Sequence, residues 1–302
     1  MSRIASERRR SRLLGLLFAA PAIALLFLFL IWPIITGIGY STTSASGYGD
    51  KTPVGADNYV RAIQDPDLYA ALGRNIIFAV IVVVASITIG FVLAYFLYMK
   101  IRGWRALQVL LMVPYIMPVV VTALLWQFML EPENGLVNAA LRAVHLNALA
   151  GPWLTGEGTA LGTVSLVQVW VTVPFAMLLI FGALIALDHE VLEAAEIDGA
   201  GTFTRMTRIV LPMVRPTIVL VAVVLSVQLF RSFDLVYLLT RGGPINSTTI
   251  ATLYVFVQGF INNEYGYANA VGIVIGAVLV ALALLPRLFS RRAAFREKAN
   301  HG

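Results

Sequence analysis

Asn75-Ile76-Ile77-Phe78-Ala79-Val80-Ile81-Val82-Val83-Val84-Ala85-Ser86-Ile87-Thr88-Ile89-Gly90-Phe91-Val92-Leu93-Ala94-Tyr95-Phe96-Leu97-Tyr98-Met99 runs for 25 residues without Asp, Glu, Lys or Arg. About 20 apolar residues in a helix cross the hydrocarbon core of a bilayer. This stretch therefore reads as a membrane span, and it does not stand alone. Residues 13–40, 106–130, 161–187, 217–239 and 267–289 have the same character. The sequence predicts an all-α integral membrane protein of six transmembrane helices, forming one domain over residues 1–302. The first and fourth spans exceed the needed length, so tilt or an interfacial extension is expected.

Composition agrees. The 302 residues are 59% hydrophobic with a mean hydropathy of +0.83, and only 13% are charged. That is roughly half the charged share of a soluble domain. A net charge of +6 would suggest nucleic acid in a soluble protein. Here the basic residues lie at the ends of apolar runs, so a nucleic-acid partner is not expected. Arg3, Arg8, Arg9, Arg10 and Arg12 precede an apolar run that is too long for a cleaved signal segment. That run is read as a retained span.

Charge also orients the chain. One set of loops holds those five arginines, Lys100, Arg102 and Arg105, Arg205, Arg208 and Arg215, and Arg287, Arg291, Arg292, Arg296 and Lys298. The other set holds Lys51, Arg61, Arg74, Arg142 and Arg241. The count is sixteen against five. The excess of basic residues on cytoplasmic loops puts both termini and residues 188–216 inside.

Residues 188–216 are polar and helix-forming, which is unusual between two spans. Glu193-Ala194-Ala195-Glu196 favours a helix, and its small residues permit close approach of another backbone. Asp188 can cap its start, while Glu190 and Glu193 suit the positive end of the helix dipole. Gly199 can close the turn in a left-handed conformation. Pro212 and Pro216 fall near the first turn of the next span, where a missing N–H costs little.

The pattern Glu193-Ala194-Ala195-x-x-Asp198-Gly199-Ala200, then, with nine residues between Gly199 and Ile209, the run Ile209-Val210-Leu211-Pro212, resembles the cytoplasmic loop of ABC-type import permeases. One position departs: Met206 stands where Phe is usual, a comparably large and adaptable apolar residue. The resemblance implies that Glu193, Ala194, Ala195, Asp198 and Gly199 form a coupling helix docked on an ATP-binding subunit. It extends from about Leu13 to Phe289. Gly55, Asn58 and Tyr59, Trp153-Leu154, Phe233-Asp234, and Leu239-Thr240-Arg241-Gly242-Gly243-Pro244 look like carbohydrate-uptake permeases of the maltose type. That branch also takes glycerol phosphates, which is the alternative substrate class. The implied assembly is a multi-pass permease of the bacterial plasma membrane. A second permease, commonly a different chain, two ATP-binding subunits and an extracytoplasmic sugar-binding protein would complete it.

The chain offers no motor or active site of its own. It has no Cys and no Gly-x-x-x-x-Gly-Lys-Ser/Thr, HExxH or Gly-x-Ser-x-Gly motif. His145, His189 and His301 lack metal-ligand spacing, so no metal site or cofactor is expected here, with ATP and magnesium on the partner. An ATP-independent carrier would need carboxylates within its spans, and only Asp234 lies inside one.

Intramembrane polar residues are default site candidates. Gln168, Thr172 and Phe175 share one face of the fourth span. Pro174 there can interrupt the helix and free a carbonyl. Gln228 and Ser232 lie four apart in the fifth span, with Leu229 beside them. By resemblance these six line the substrate path; a plainer use of such residues is interhelical hydrogen bonding. Arg231 and Asp234, three apart, are expected to pair on one helix face.

Overall fold

The computed structural model describes residue 14 and residues 18–46, 51–187, 191 and 195–299. Among them the backbone is helical, without strands, and one isolated bridge joins Thr43 to Pro53. Three helices are long and apolar enough to cross a membrane: Phe18–Ser41 (α1), Pro66–Tyr98 (α3) and Ala160–Ile185 (α7). Between α1 and α3 lies the short helix Asp57–Gln64 (α2).

The expected third span is divided. Trp104–Ile116 (α4) and Val119–Met129 (α5) meet at a bend of 96°. Pro118 is the cause. A residue before proline is driven out of the helical region, and Met117 is extended at φ −64°, ψ 137°. After a short helix, Leu136–Ala143 (α6), the chain enters α7. Pro174 was expected to interrupt this span, but α7 continues through it.

Past the polar segment, Thr202–Met213 (α8) and Arg215–Phe230 (α9) bend by 70°. The expected fifth span also breaks: α9 stops at Phe230, and Asp234–Thr240 (α10) begins anew. Phe233, at φ −129°, ψ −51°, marks the break. The freed Ser232 carbonyl accepts a 2.6 Å hydrogen bond from the Thr252 hydroxyl, so the interruption leaves that group paired. Ala251–Ile261 (α11) and Tyr265–Ala299 (α12) follow.

The chain divides into two compact units. The first takes the described residues of Met1–Asp65 and Val255–Val274. In it the Asn58 amide donates to the Ser41 and Thr43 carbonyls at 2.9 Å each, and the Tyr59 and Ser41 hydroxyls are 2.7 Å apart. Arg61 pairs with Glu264 at 2.7 Å and lies 4.0 Å over the Tyr267 ring, whose hydroxyl donates to Asp65.

The second unit, Pro66–Tyr254 with Ile275–Gly302, is built on α3 against α7. Gly90 lets the backbones approach: a Cβ there would lie 2.9 Å from both the Ala176 Cβ and the Met177 nitrogen. Small residues at such crossings give membrane helices their van der Waals contact. Leu97, Ile180 and Leu184 continue this core, and Val210, Val214, Val221 and Leu225 bring α8 and α9 onto it.

Candidate functional site

The polar segment after α7 is the part of the second unit with the most unusual chemistry. Glu193 and Ala194 lie outside the described residues, as do Asp188, His189 and Glu190. From Ala195 onward the geometry is definite. Residues 195–197 are helical. The Gly199 N–H bonds the Glu196 carbonyl at 3.0 Å, and the Ala200 N–H bonds the Ala195 carbonyl at 2.9 Å. With Gly199 at φ +79°, this pair of bonds is a Schellman closure. Glycine is required there because a side chain in the left-handed region costs about 1–2 kcal/mol. Nothing lies within 4 Å of a Cβ built on Gly199, so its outer side is open.

Glu196 and Arg205 form a 2.8 Å ion pair that spans the turn and the start of α8. Met206 packs on the core cluster and ties this segment to the membrane helices. Ala195 is buried, while Asp198 and Gly199 are exposed. Two residues escaped the sequence reading: Ile197 is 86% exposed and Phe203 is 74% exposed. The available signal was two large apolar side chains inside a polar segment. The arrangement is a braced turn presenting Asp198, Gly199, Ile197 and Phe203 outward, which suits the docking of another protein.

The candidate path residues fall into two groups. The Thr172 hydroxyl donates to the Gln168 carbonyl at 2.5 Å, and the Gln168 amide donates to that hydroxyl at 3.1 Å. Phe175 stacks on Tyr115 with ring centroids 5.7 Å apart. On α9, Gln228 is exposed, Leu229 is buried, and Ser232 is half-buried at the helix break. Helices α7 and α9 pack together, but no hydrogen bond joins the two groups. Arg231 and Asp234 do not pair as expected. Arg231 caps the end of α9 and Asp234 starts α10, so no single helix face carries both.

This unit also holds a cavity of about 560 Å³, lined in part by Gln127, Leu154, Tyr237, Thr240 and Arg241. Its wall is the Leu239–Pro244 segment, where Gly242 adopts φ +90° and a Cβ would meet the Thr249 hydroxyl at 2.6 Å. Trp153 donates its ring N–H to buried Asn138 at 2.7 Å. Nearby, the Glu131 carboxylate accepts the backbone N–H of Asn134, and this bond, with that of Glu133, holds it below the usual carboxylate range. Among the described residues no cluster of His, Asp and Glu could hold a metal ion.

The described residues thus make a helical membrane protein with bent apolar helices and a braced polar turn between two of them. Comparison with known proteins makes that specific. Residues 86–295, more than half of the chain, match the family of binding-protein-dependent transport system inner membrane components, and the chain belongs to it. It is 30% identical to the sn-glycerol-3-phosphate transport system permease protein UgpA of Escherichia coli (strain UTI89 / UPEC), over 91% of this chain and 93% of that one. It is 27% identical to the trehalose/maltose transport system permease protein MalF of Thermococcus litoralis, again over 91% and 93%. Its fold matches a chain of the bacterial alginate ABC transporter in complex with an alginate pentasaccharide-bound periplasmic protein. That match has a TM-score of 0.82 at 23% identity, covering 97% of this chain and 98% of that one.

Proposed function

We propose that this chain is one permease subunit of an ATP-driven sugar importer of the bacterial inner membrane. It forms half of a translocation path, with six spans and both termini cytoplasmic. The third and fifth spans are the bent and broken helices described above. A second permease, two ATP-binding subunits and an extracytoplasmic binding protein complete the transporter, and hydrolysis occurs on the ATP-binding subunits.

The observation that carries this reading is the braced turn at Ala195–Ala200. A loop that served only to connect two spans would need neither a Schellman closure nor an ion pair nor two exposed apolar side chains. A lever between ATPase and membrane helices needs all three, because force passes only through a stiff element. Asp198 and Gly199, with Glu193 and Ala194 before them, form the coupling surface, and buried Ala195 anchors the turn beneath it. Met206, Val210 and Val214 pass its movement to α3 and α7 through shared packing. ATP-driven closure then rocks the two permeases about a site near mid-depth.

Gln168, Thr172, Phe175, Gln228, Leu229 and Ser232 are the proposed path residues. The linked Gln168–Thr172 pair and the ring of Phe175 supply hydroxyl-pairing groups and an aromatic face, which suit a sugar. A glycerol phosphate is the second reading, favoured by the similarity to UgpA and by exposed Arg231 and Arg241. The test is uptake into vesicles holding the purified transporter and its binding protein, with labelled trehalose, maltose and glycerol 3-phosphate offered separately. ATP-dependent uptake of a sugar supports the first reading, and uptake of glycerol phosphate alone supports the second. Uptake without ATP refutes both.

A further inference from the structure

Helices α3, α4 and α7 enclose an apolar groove of about 570 Å³ that the transport reading does not use. Leu93 and Ile89 of α3, Leu110 and Pro114 of α4, and Val169 and Trp170 of α7 line it. No charged side chain lines it. At about 100° per residue, the groove face of α7 stands roughly 140° from the face of Gln168, Thr172 and Phe175. It therefore points away from the proposed path.

The turn between α3 and α4 lies at one end of this groove. It is compact, with Lys100 at φ +51° and Gly103 at φ +83°. It carries Lys100, Arg102 and Arg105, all exposed and none in an ion pair among the described residues. Arg105 rests 5.4 Å over the Trp104 ring, an aromatic at an interfacial level. Leu110 follows Arg105 by five residues, about 7.5 Å of helix rise. The three cations thus lie at one end of an apolar slot, Arg105 about 7.5 Å from Leu110 along α4 and roughly 140° round it.

We infer that this groove is a binding site for an anionic phospholipid, with one acyl chain along α4 and α7 and the headgroup phosphate at Lys100, Arg102 and Arg105. A zwitterionic lipid would gain the same apolar contacts but lack the net charge that three cations select. Basic clusters between membrane helices on the cytoplasmic side recognise anionic headgroups in this way.

The test is native mass spectrometry of the complete transporter, purified in mild detergent from membranes containing phosphatidylglycerol and phosphatidylethanolamine. The expected result is retained phosphatidylglycerol, with affinity falling about fivefold for each of K100Q, R102Q and R105Q. Leu110→Trp, at a largely exposed position, fills the groove and should expel the lipid while the charges remain. Equal retention of the two lipids by the unmodified transporter overturns the inference. So does unchanged retention in the triple charge variant, or a groove cross-linked to another subunit in place of lipid. Sugar uptake is measured on the same samples, so that a wrong substrate and a wrong lipid site give different results.

Discussion

Gly90→Ala is the sharpest test of the α3–α7 contact on which the second unit rests. In an open helix the change would stabilise by about 1 kcal/mol, because alanine loses less backbone freedom than glycine. Here the added Cβ would sit 2.9 Å from the Ala176 Cβ, 2.9 Å from the Met177 nitrogen and 3.2 Å from the Ala176 carbonyl carbon. Relaxed contacts between carbon atoms need about 3.5–4.0 Å, so the helices must part by roughly 0.6–1 Å. Two of the three atoms are backbone and cannot rotate away. Overpacking of this kind costs about 1–3 kcal/mol. Separation would also loosen Phe91, Ala94, Ile180 and Met177 together, because they share the cluster. The expected net effect is destabilisation of up to about 2 kcal/mol after the helix-propensity gain is subtracted. The assay is the thermal midpoint of the purified transporter in mild detergent, followed by fluorescence-detected size exclusion. Gly182→Ala is the control: it lies on α7 with nothing within 4 Å of its Cβ position, and it should be neutral or slightly stabilising. Adding Ala176→Gly to Gly90→Ala should recover part of the loss, since the Met177 nitrogen still clashes. A Gly90→Ala variant as stable as Gly182→Ala would refute the close contact.

Gly199→Val forces a β-branched residue to φ +79° and should abolish transport-coupled ATP hydrolysis, while Gly199→Asn keeps much of it because asparagine tolerates that conformation. The readout is binding-protein-stimulated ATPase activity in vesicles; equal activity of the two variants would remove the Schellman turn from the mechanism. Gln228→Ala combined with Thr172→Val should lower the uptake rate without lowering assembly, and normal uptake kinetics would place the path elsewhere. Gly242→Ala meets both a left-handed backbone and the Thr249 hydroxyl at 2.6 Å, so it should cost about 1–2 kcal/mol or more and disorder the cavity beside Leu239–Pro244. Hydrogen exchange at Thr248 and Thr249 would report this. Glu131 has its folded pKa lowered, first by the Asn134 N–H and then by that of Glu133. Its contribution is therefore present above the unfolded value of about 4.3 and is lost as pH falls through the lower folded value. Exchange at the Asn134 amide should accelerate across that acid window in the native chain, and Glu131→Gln should remove the step.

Membrane character, helix content and the family were legible in the sequence, for a physical reason. Lipid leaves a backbone few choices, so long uncharged runs such as 75–99 declare themselves without reference to the rest of the chain. The left-handed role of Gly199 was equally local, because only glycine enters that conformation at no cost. What sequence could not settle depended on contacts between distant residues. Pro118 breaks a span while Pro174 does not. Periodicity sees an uninterrupted apolar run in both cases, yet Met117 before Pro118 is extended while Val173 before Pro174 stays helical. Arg231 and Asp234 looked like neighbours on one helix, until the break at Phe233, sealed by Thr252 nineteen residues beyond it, set them on two. Leu229 became core and Gln228 remained open through the packing of α9 alone. Ile197 and Phe203 read as ordinary apolar residues, and only the folded chain leaves them uncovered. Local chemistry and hydropathy thus determined that this chain spans a membrane and which family it joins. Tertiary packing decided where its helices break and which side chains remain free to meet a partner, because exposure is a property of the whole fold.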